Sequence, residues 1–371
     1  VKKLPAVATL ATAALLALAG CAEPPAPQAP QPSTSESAGG SGDGAAAFKA
    51  CMVSDSGGFD DKSFNQTSYK GLTDAVAELG IESNEVQSST NADFAPNVEA
   101  MVADGCNIIV TVGFLLDDAT TAAAEANPDI DFAIVDSNPE GSADLENLKP
   151  LLFNTAESSF LAGYLAAGMT KTGTVGTFGG LQIPTVTIFM DGFAQGVAHH
   201  NETKGTDVQV IGWSSENQDG QFVPGDDPFQ NIAGGKQTAD TLVSQGADIL
   251  FPVAGPAGEG ALQAAQSSGG NVNAIWVDTD GCVSAEQYCP QLISSVYKAM
   301  DLAVADAIRA SYNDEFSNEP YVGTLENDGT GLAPFNEFED DVPAELKAEL
   351  EQLRTDITSG TIQIESAAQP K

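Results

Sequence analysis

Short apolar runs rich in Val and Ile alternate with longer amphipathic stretches along nearly the whole chain, and this alternation restricts the fold more than any other feature of the sequence. The spacing predicts strands over Phe48 to Ser54, Glu85 to Ser88, Asn107 to Val112 and Asp131 to Asp136. Helices are expected between them, over Ser63 to Leu79, Pro96 to Ala103 and Leu115 to Ala126; Gly80 stops the first and Asn127-Pro128 the last. Then the pattern restarts. Strands are expected over Thr174 to Phe178, Val208 to Trp213, Asp248 to Val253 and Ala274 to Asp278. The helices of this half fall over Ser158 to Met169, Pro184 to Ala198, Asn231 to Gln245 and Gly258 to Gln266. Two more follow, over Asp301 to Ala310 with its start near Val296, and over Val342 to Ile357. Such β-α-β-α order argues for two similar α/β lobes, each a parallel sheet with helices on both faces. No short tandem repeat is visible, which argues against a solenoid.

The segment before Phe48 reads differently. Lys2 and Lys3 precede an Ala/Leu-rich stretch from Leu4 to Gly20, short against the about 20 apolar residues of a bilayer span. It ends in Leu18-Ala19-Gly20-Cys21, which resembles the bacterial lipobox and implies cleavage before Cys21 and lipid on its thiol and new amino group. Ala22 to Ala46 is Pro, Ala, Ser and Gly, a composition that cannot offset its ordering entropy and predicts a tether reaching about 28 Å. Lys+Arg 14 against Asp+Glu 52, a formal net charge of -38, argues against nucleic acid or anionic lipid as a partner. With Cys21 lipidated, Cys51, Cys106, Cys282 and Cys289 remain, an even number that permits two bridges outside the cell. Cys282 and Cys289 flank one loop, and Cys51 and Cys106 would open neighbouring strands, so Cys51–Cys106 and Cys282–Cys289 are the expected pairs. No CxxC is present and the only histidines are the adjacent His199 and His200, so no metal site is expected.

In a doubly wound sheet, ligands bind beyond the carboxyl ends of the strands. The residues expected there are Asp55, Gly113-Phe114, Asp136, Gly255 and Asp278. Three carboxylates in one crevice repel one another unless a hydrogen-bond donor or a metal lies between them.

The run Asp55-Ser56-Gly57-Gly58-Phe59-Asp60-Asp61-Lys62-Ser63-Phe64-Asn65-Gln66 is the most specific signal in the chain. With Val135-Asp136-Ser137, Gly192-Phe193, Val253-Ala254-Gly255, Val277-Asp278-Thr279-Asp280 and Ser295-Val296-Tyr297-Lys298, it resembles the basic membrane protein family, nucleoside-receptor lipoproteins of ABC importers. The resemblance spans Phe48 to about Gly360 in order. It implies a periplasmic-binding-protein-like fold of type I, two doubly wound lobes with a ligand cleft between them, and a receptor rather than an enzyme. Gly57 and Gly58 permit a sharp strand-to-helix turn. Phe64 offers a flat face to a base, Asn65 carries a donor and an acceptor for its edge, and Phe251 is expected to stack on the other face. The family implies Asp55 at the base edge, and Asp136, Asp278 and Lys298 around the ribose hydroxyls, with Lys298 holding the carboxylates ionised. Where the family reads Ala-Gly-Gly-Thr-Gly this chain has Ala254-Gly255-Pro256-Ala257-Gly258, and Pro256 lacks the amide hydrogen that a backbone contact to the sugar would use.

The expected organisation is a signal peptide over 1–20, a lipidated Cys21 and tether over 21–46, lobe 1 over 47–155 completed by about 275–318, and lobe 2 over 156–274 completed by about 319–371. A monomer that meets a membrane permease and needs no cofactor follows from the resemblance. The sharpest rival is a nucleoside hydrolase, whose calcium-binding aspartate cluster the Asp55 to Asp61 loop faintly resembles; Val53 stands where that pattern has a further Asp. A transcription regulator would carry a DNA-binding helix pair in place of the lipobox. Within the receptor reading, the solute could instead be riboflavin, a pyrimidine nucleoside or a sugar.

Overall fold

In the computed structural model, residues 48–370 are described; Cys21, the expected signal peptide and the tether lie outside the described residues. The elements run β1 (Lys49–Ser56), α1 (Phe64–Leu79), β2 (Glu82–Ser88), α2 (Phe94–Ala103), β3 (Ile108–Val112), α3 (Asp117–Ala126), β4 (Asp131–Val135) and β5 (Leu148–Phe153). Next come α4 (Thr155–Met169), β6 (Thr174–Gly179), α5 (Pro184–Lys204), β7 (Gln209–Ile211), the small pair β8 (Trp213–Ser214) and β9 (Asp219–Gly220), and α6 (Ile232–Ser244). The chain continues through β10 (Ile249–Val253), α7 (Glu259–Ser267), β11 (Asn273–Asp278), α8 (Gly281–Ser284), β12 (Leu292–Lys298) and α9 (Met300–Tyr312). It closes with β13 (Tyr321–Gly323), β14 (Thr330–Leu332) and α10 (Ala344–Thr358). No described helix is long and apolar enough to cross a membrane.

Two six-stranded sheets result, in the orders β13-β5-β4-β3-β1-β2 and β14-β12-β11-β10-β6-β7. Apart from β14, which runs antiparallel to β12, all their strand pairs are parallel. Each sheet is therefore doubly wound in the same sense, with its order reversing beside its first strand, β1 or β6. That reversal leaves a crevice at the carboxyl ends of the strands. The fold class is the one expected: two α/β lobes of periplasmic-binding-protein type with a cleft between them.

Local chemistry sets the element ends. Gly80 takes a left-handed φ of 67° and its N–H caps α1 through the Val76 carbonyl, a conformation that costs glycine little. The Asn231 side chain caps α6 by accepting from the Gly234 N–H at 2.9 Å. β3 is buried at every position because helices cover both faces of its sheet. α4 is buried on almost every side, so it carries no amphipathic pattern.

The chain crosses between lobes three times, at 153–155, 298–300 and 323–330. These crossings correct the expected boundaries. β11 and β12 belong to the second sheet, so lobe 1 is completed not from about residue 275 but by α9 and β13, which follow the second crossing. Lobe 2 is completed by β14, α10 and the tail. The segment after Leu292 is a strand, not the start of a helix. β5 had no counterpart in the predicted elements, because Lys149 and Pro150 break its apolar run. Cys51 in β1 is joined to Cys106, which immediately precedes the neighbouring region of β3, and Cys282 to Cys289 closes the loop between β11 and β12.

Candidate functional site

A cavity open at its mouth lies between the lobes, with about 590 Å³ of atom-free space in which open solvent at the mouth is included. Both lobes contribute strand ends. Lobe 1 supplies Asp55 after Ser54 in β1, Gly113 and Phe114 after β3, and Asp136 after β4. Lobe 2 supplies Val253 to Pro256 from the end of β10 and Asp278 from the end of β11. Lys298 ends β12 at the second crossing and so stands between the two.

Asp136 and Asp278 occupy matching places at the ends of the fourth strands of their sheets. Both adopt left-handed backbone conformations, φ 60° and 70°, which aspartate tolerates better than most residues but at a cost. Both are buried, and both grip Lys298: Asp136 by a short charged hydrogen bond, Asp278 at 3.0 Å. Burial pushes the Asp136 carboxyl above its usual range, opposed by the Lys298 charge. Burial alone would lower Lys298, but the two facing carboxylates outweigh it and hold the ammonium above its ordinary value. The ammonium also lies 4.6 Å from the centroid of the Phe64 ring and 5.3 Å from that of Phe189.

The same cavity holds a second polar group. Asp61, buried, accepts from the N–H groups of Ser63 (3.0 Å), Asn65 (2.9 Å) and Gln66 (3.0 Å), and so caps α1. The amide nitrogen of Asn65 donates to Asp55 Oδ1 at 2.9 Å and to Asp61 Oδ2 at 3.2 Å. Asn65 is buried, and among the described residues its Oδ1 has no partner. Among the same residues Asp55 receives only that one side-chain bond. Burial pushes its carboxyl up to about 8, with Asp61, Asp136 and Asp227 adding repulsion; burial raises Asp61 to about 6 against its three backbone donors.

The lobes also touch outside the cavity. Lys62 Nζ reaches both oxygens of Glu259 at 3.2 Å, and Trp276 Nε1 donates to the Lys62 carbonyl at 3.2 Å; within lobe 2, Tyr288 OH donates to Glu259 Oε1 at 3.1 Å. Ser63 Oγ donates to Asp278 Oδ2 at 2.6 Å. These contacts describe a closed arrangement, with the Gly57 to Ser63 loop laid across to lobe 2.

Of the residues singled out in the sequence, Asp55, Phe64, Asn65, Asp136, Gly255, Asp278 and Lys298 all line this one cavity. Phe251 does not. It is fully buried one layer beneath, its ring stacked on Phe193 at 4.9 Å, because alternation along β10 directs it into the core that α5 covers. The aromatic side chains lining the cavity from lobe 2 are Phe189 and Phe229. Phe229 is pinned by its carbonyl, which accepts from Ala257 N–H at 2.8 Å, and its ring covers Gly180. It lies in a loop without periodicity, so only its neighbourhood to the Gly255 turn could have suggested it. Lys298 does not leave Asp136 at an ordinary carboxylate value, since burial outweighs its charge.

Comparison with known proteins places this geometry among receptors. The family model for PnrA-like ABC transporter substrate-binding proteins matches residues 48–367. A CD4+ T-cell-stimulating antigen of Listeria monocytogenes is 30% identical over 85% of this chain and 88% of its own length. The ABC transporter nucleoside-binding protein BmpA of Lactococcus lactis is 28% identical over 89% of this chain and 93% of its own. Among solved structures, an ABC transporter solute-binding protein from Aeropyrum pernix superposes with a TM-score of 0.75 at 24% identity, covering 85% of this chain and 92% of that one.

Proposed function

The chain belongs to the PnrA-like family of ABC transporter substrate-binding proteins, and we propose that it is a lipid-anchored extracytoplasmic receptor for nucleosides that delivers them, as a monomer, to a membrane permease. The observation that carries this reading is the meeting of two unlike sets of groups in one cavity. Asn65 and Asp55 stand with the aromatic ring of Phe64, a flat surface together with groups suited to a base edge. Asp136, Asp278 and the Lys298 ammonium, which packs over the Phe64 ring, form a donor and acceptor set suited to vicinal hydroxyls. A sugar would leave the first set unused, and a free base the second. Phe229 takes the stacking role expected of Phe251. The name of the Lactococcus relative supports the same solute class. Binding without turnover fits Asp61, whose oxygens accept four hydrogen bonds from Ser63, Asn65 and Gln66 and have little left for a calcium ion. The Cys21 lipid anchor rests on the lipobox-like sequence alone; mass spectrometry showing an unmodified Cys21 in the mature protein would remove it from this account.

A thermal-shift and calorimetric screen of the protein against nucleosides, free bases, riboflavin and sugars tests the solute. Nucleosides should raise the melting temperature most, and preference for flavin or free sugars overturns the reading. Phe64→Ala should weaken all nucleosides together by roughly tenfold, because stacking is worth about 0.5–1.5 kcal/mol beyond area burial and any base can use it. Removing the cross-lobe ion pair by Lys62→Met should act differently. A part-exposed pair is worth about 0.2–1 kcal/mol, so the dissociation rate should rise roughly 1.4- to fivefold with the association rate almost unchanged. Stopped-flow fluorescence distinguishes these, and an unchanged dissociation rate would show that the Lys62–Glu259 contact does not hold the lobes together.

A further inference from the structure

Asn65 can present only one group to a ligand. Its amide nitrogen is committed to Asp55 Oδ1 and Asp61 Oδ2, and flipping the amide would turn an oxygen toward two carboxyls. The buried, unpartnered atom that remains for the cavity is therefore an acceptor, Oδ1. Beside it stands Asp55, and the question is what that carboxyl offers.

Charge around the cleft is unevenly compensated. Lys298 is the sole cation lining the cavity among the described residues, and it is spent on Asp136 and Asp278. Asp61 is held by three backbone N–H groups and the Asn65 amide. Asp227, from the loop before α6, is exposed to water and meets Ser56 Oγ at 3.4 Å. Asp55 has a single donor, faces Asp61, Asp136 and Asp227, and abuts the Gly113 backbone, which brings no charge. Of these carboxyls it is the least compensated, and so the one to carry a proton in the ligand-free protein. We propose that Asp55 enters the ligand complex as the neutral acid, so that its O–H and the Asn65 carbonyl oxygen together read a base edge on which an acceptor stands beside an N–H donor.

This rests on the nucleoside reading and adds to it a chemical class and a proton. Adenine, with N1 or N7 next to its exocyclic N–H, has such an edge. The upward displacement of the Asp55 carboxyl by burial, to about 8, places the consequence at mildly alkaline pH. Below that value the acid is already protonated and affinity is flat. Above it, each ligand bound must bring a proton with it, and affinity falls by about tenfold per pH unit. Asp61 completes its own titration below this window.

The experiment is calorimetry of adenosine, which has no titrating group of its own in the range, from about pH 7 to about pH 9.5 in two buffers of unlike ionisation enthalpy. The expected result is near-constant affinity at the lower end, a fall approaching tenfold per pH unit at the upper end, and uptake of about one proton per adenosine there. Asp55→Asn, which keeps a donor but cannot titrate, should bind with no alkaline fall and no proton uptake. Affinity that is constant or rises with pH, or a fall that persists in Asp55→Asn, overturns the proposal while leaving the nucleoside reading intact. Failure of adenosine, guanosine, inosine and uridine to bind at any pH overturns the nucleoside reading itself, and this inference with it.

Discussion

Replacing Lys298 by methionine should destabilise the ligand-free protein by about 3–5 kcal/mol, the usual cost of leaving buried charges without their partner. Nucleoside affinity should be lost with it. Methionine retains most of the apolar stem, so the change isolates the ammonium. Asp136 and Asp278, both buried and held in left-handed backbone conformations at matching strand ends, would then face each other with no cation between them. Their carboxyls would respond by taking up protons. A carboxyl whose folded-state pKa lies above its unfolded value binds more protons folded than unfolded, so stability is retained at low pH and lost as pH rises through the folded pKa. Burial already holds Asp136 above its ordinary range with Lys298 present. The deficit of Lys298→Met should therefore be smaller near about pH 5 than near about pH 8. Adding Asp136→Asn should recover part of it, because an amide costs less to bury unpaired than a carboxylate. Thermal unfolding of the parent and the two variants at the two pH values decides the matter. An equal loss at both pH values, unrelieved by Asp136→Asn, would mean that Lys298 supports the fold through packing and not through charge.

That the same lysine could be picked out from the sequence, but not its position, shows where sequence reading stops. Elements that open or close on strong local chemistry were legible: α1 stops at Gly80, and Asp136 and Asp278 end runs of Val and Ile. β5 was hidden by Lys149 and Pro150, and β12 by Ser294, Ser295 and Lys298, polar residues that a central strand carries only because other parts of the chain satisfy them. Ser294 Oγ, for one, donates to the Ala333 carbonyl at 2.8 Å, a partner 39 residues away. Phe251 and Phe229 show the same limit at the site. Both lie close to the Gly255 turn, but which of them reaches the cleft depends on the face of β10 that α5 covers, and alternation fixes the period without naming the face. The polarity of Asn65 was equally out of reach, since it follows from Asp61 and Asp55 closing on the same amide nitrogen.

Packing between α4 and α5 carries the second large effect, and it too acts at a distance. Gly192 and Gly196, one turn apart on α5, lie against the carbonyl oxygens of Ala156 and Phe160 on α4, and Gly163 on α4 lies against the Phe193 carbonyl. A Cβ built on Gly196 would fall well inside van der Waals contact distance of the Phe160 oxygen, which is backbone and cannot swing away. Glycine is needed here for close approach, since its backbone is ordinary helix. Helix propensity alone favours Gly196→Ala by about 1 kcal/mol. Overpacking costs about 1–3 kcal/mol, at the upper end where backbone must move, so the net result should be a loss of about 2 kcal/mol. The displacement should also reach the site, because Ile183, Thr185, Val186 and Phe189, at the start of α5, line the cavity. Affinity for nucleosides should fall several-fold although no residue of the cleft has changed. Ala198→Gly, on the exposed side of the same helix, supplies the scale: it should cost only the propensity difference and leave affinity unaltered. Denaturant unfolding and calorimetry on both variants test this, and a Gly196→Ala protein more stable than the parent would show that the helices have room that their backbones do not display.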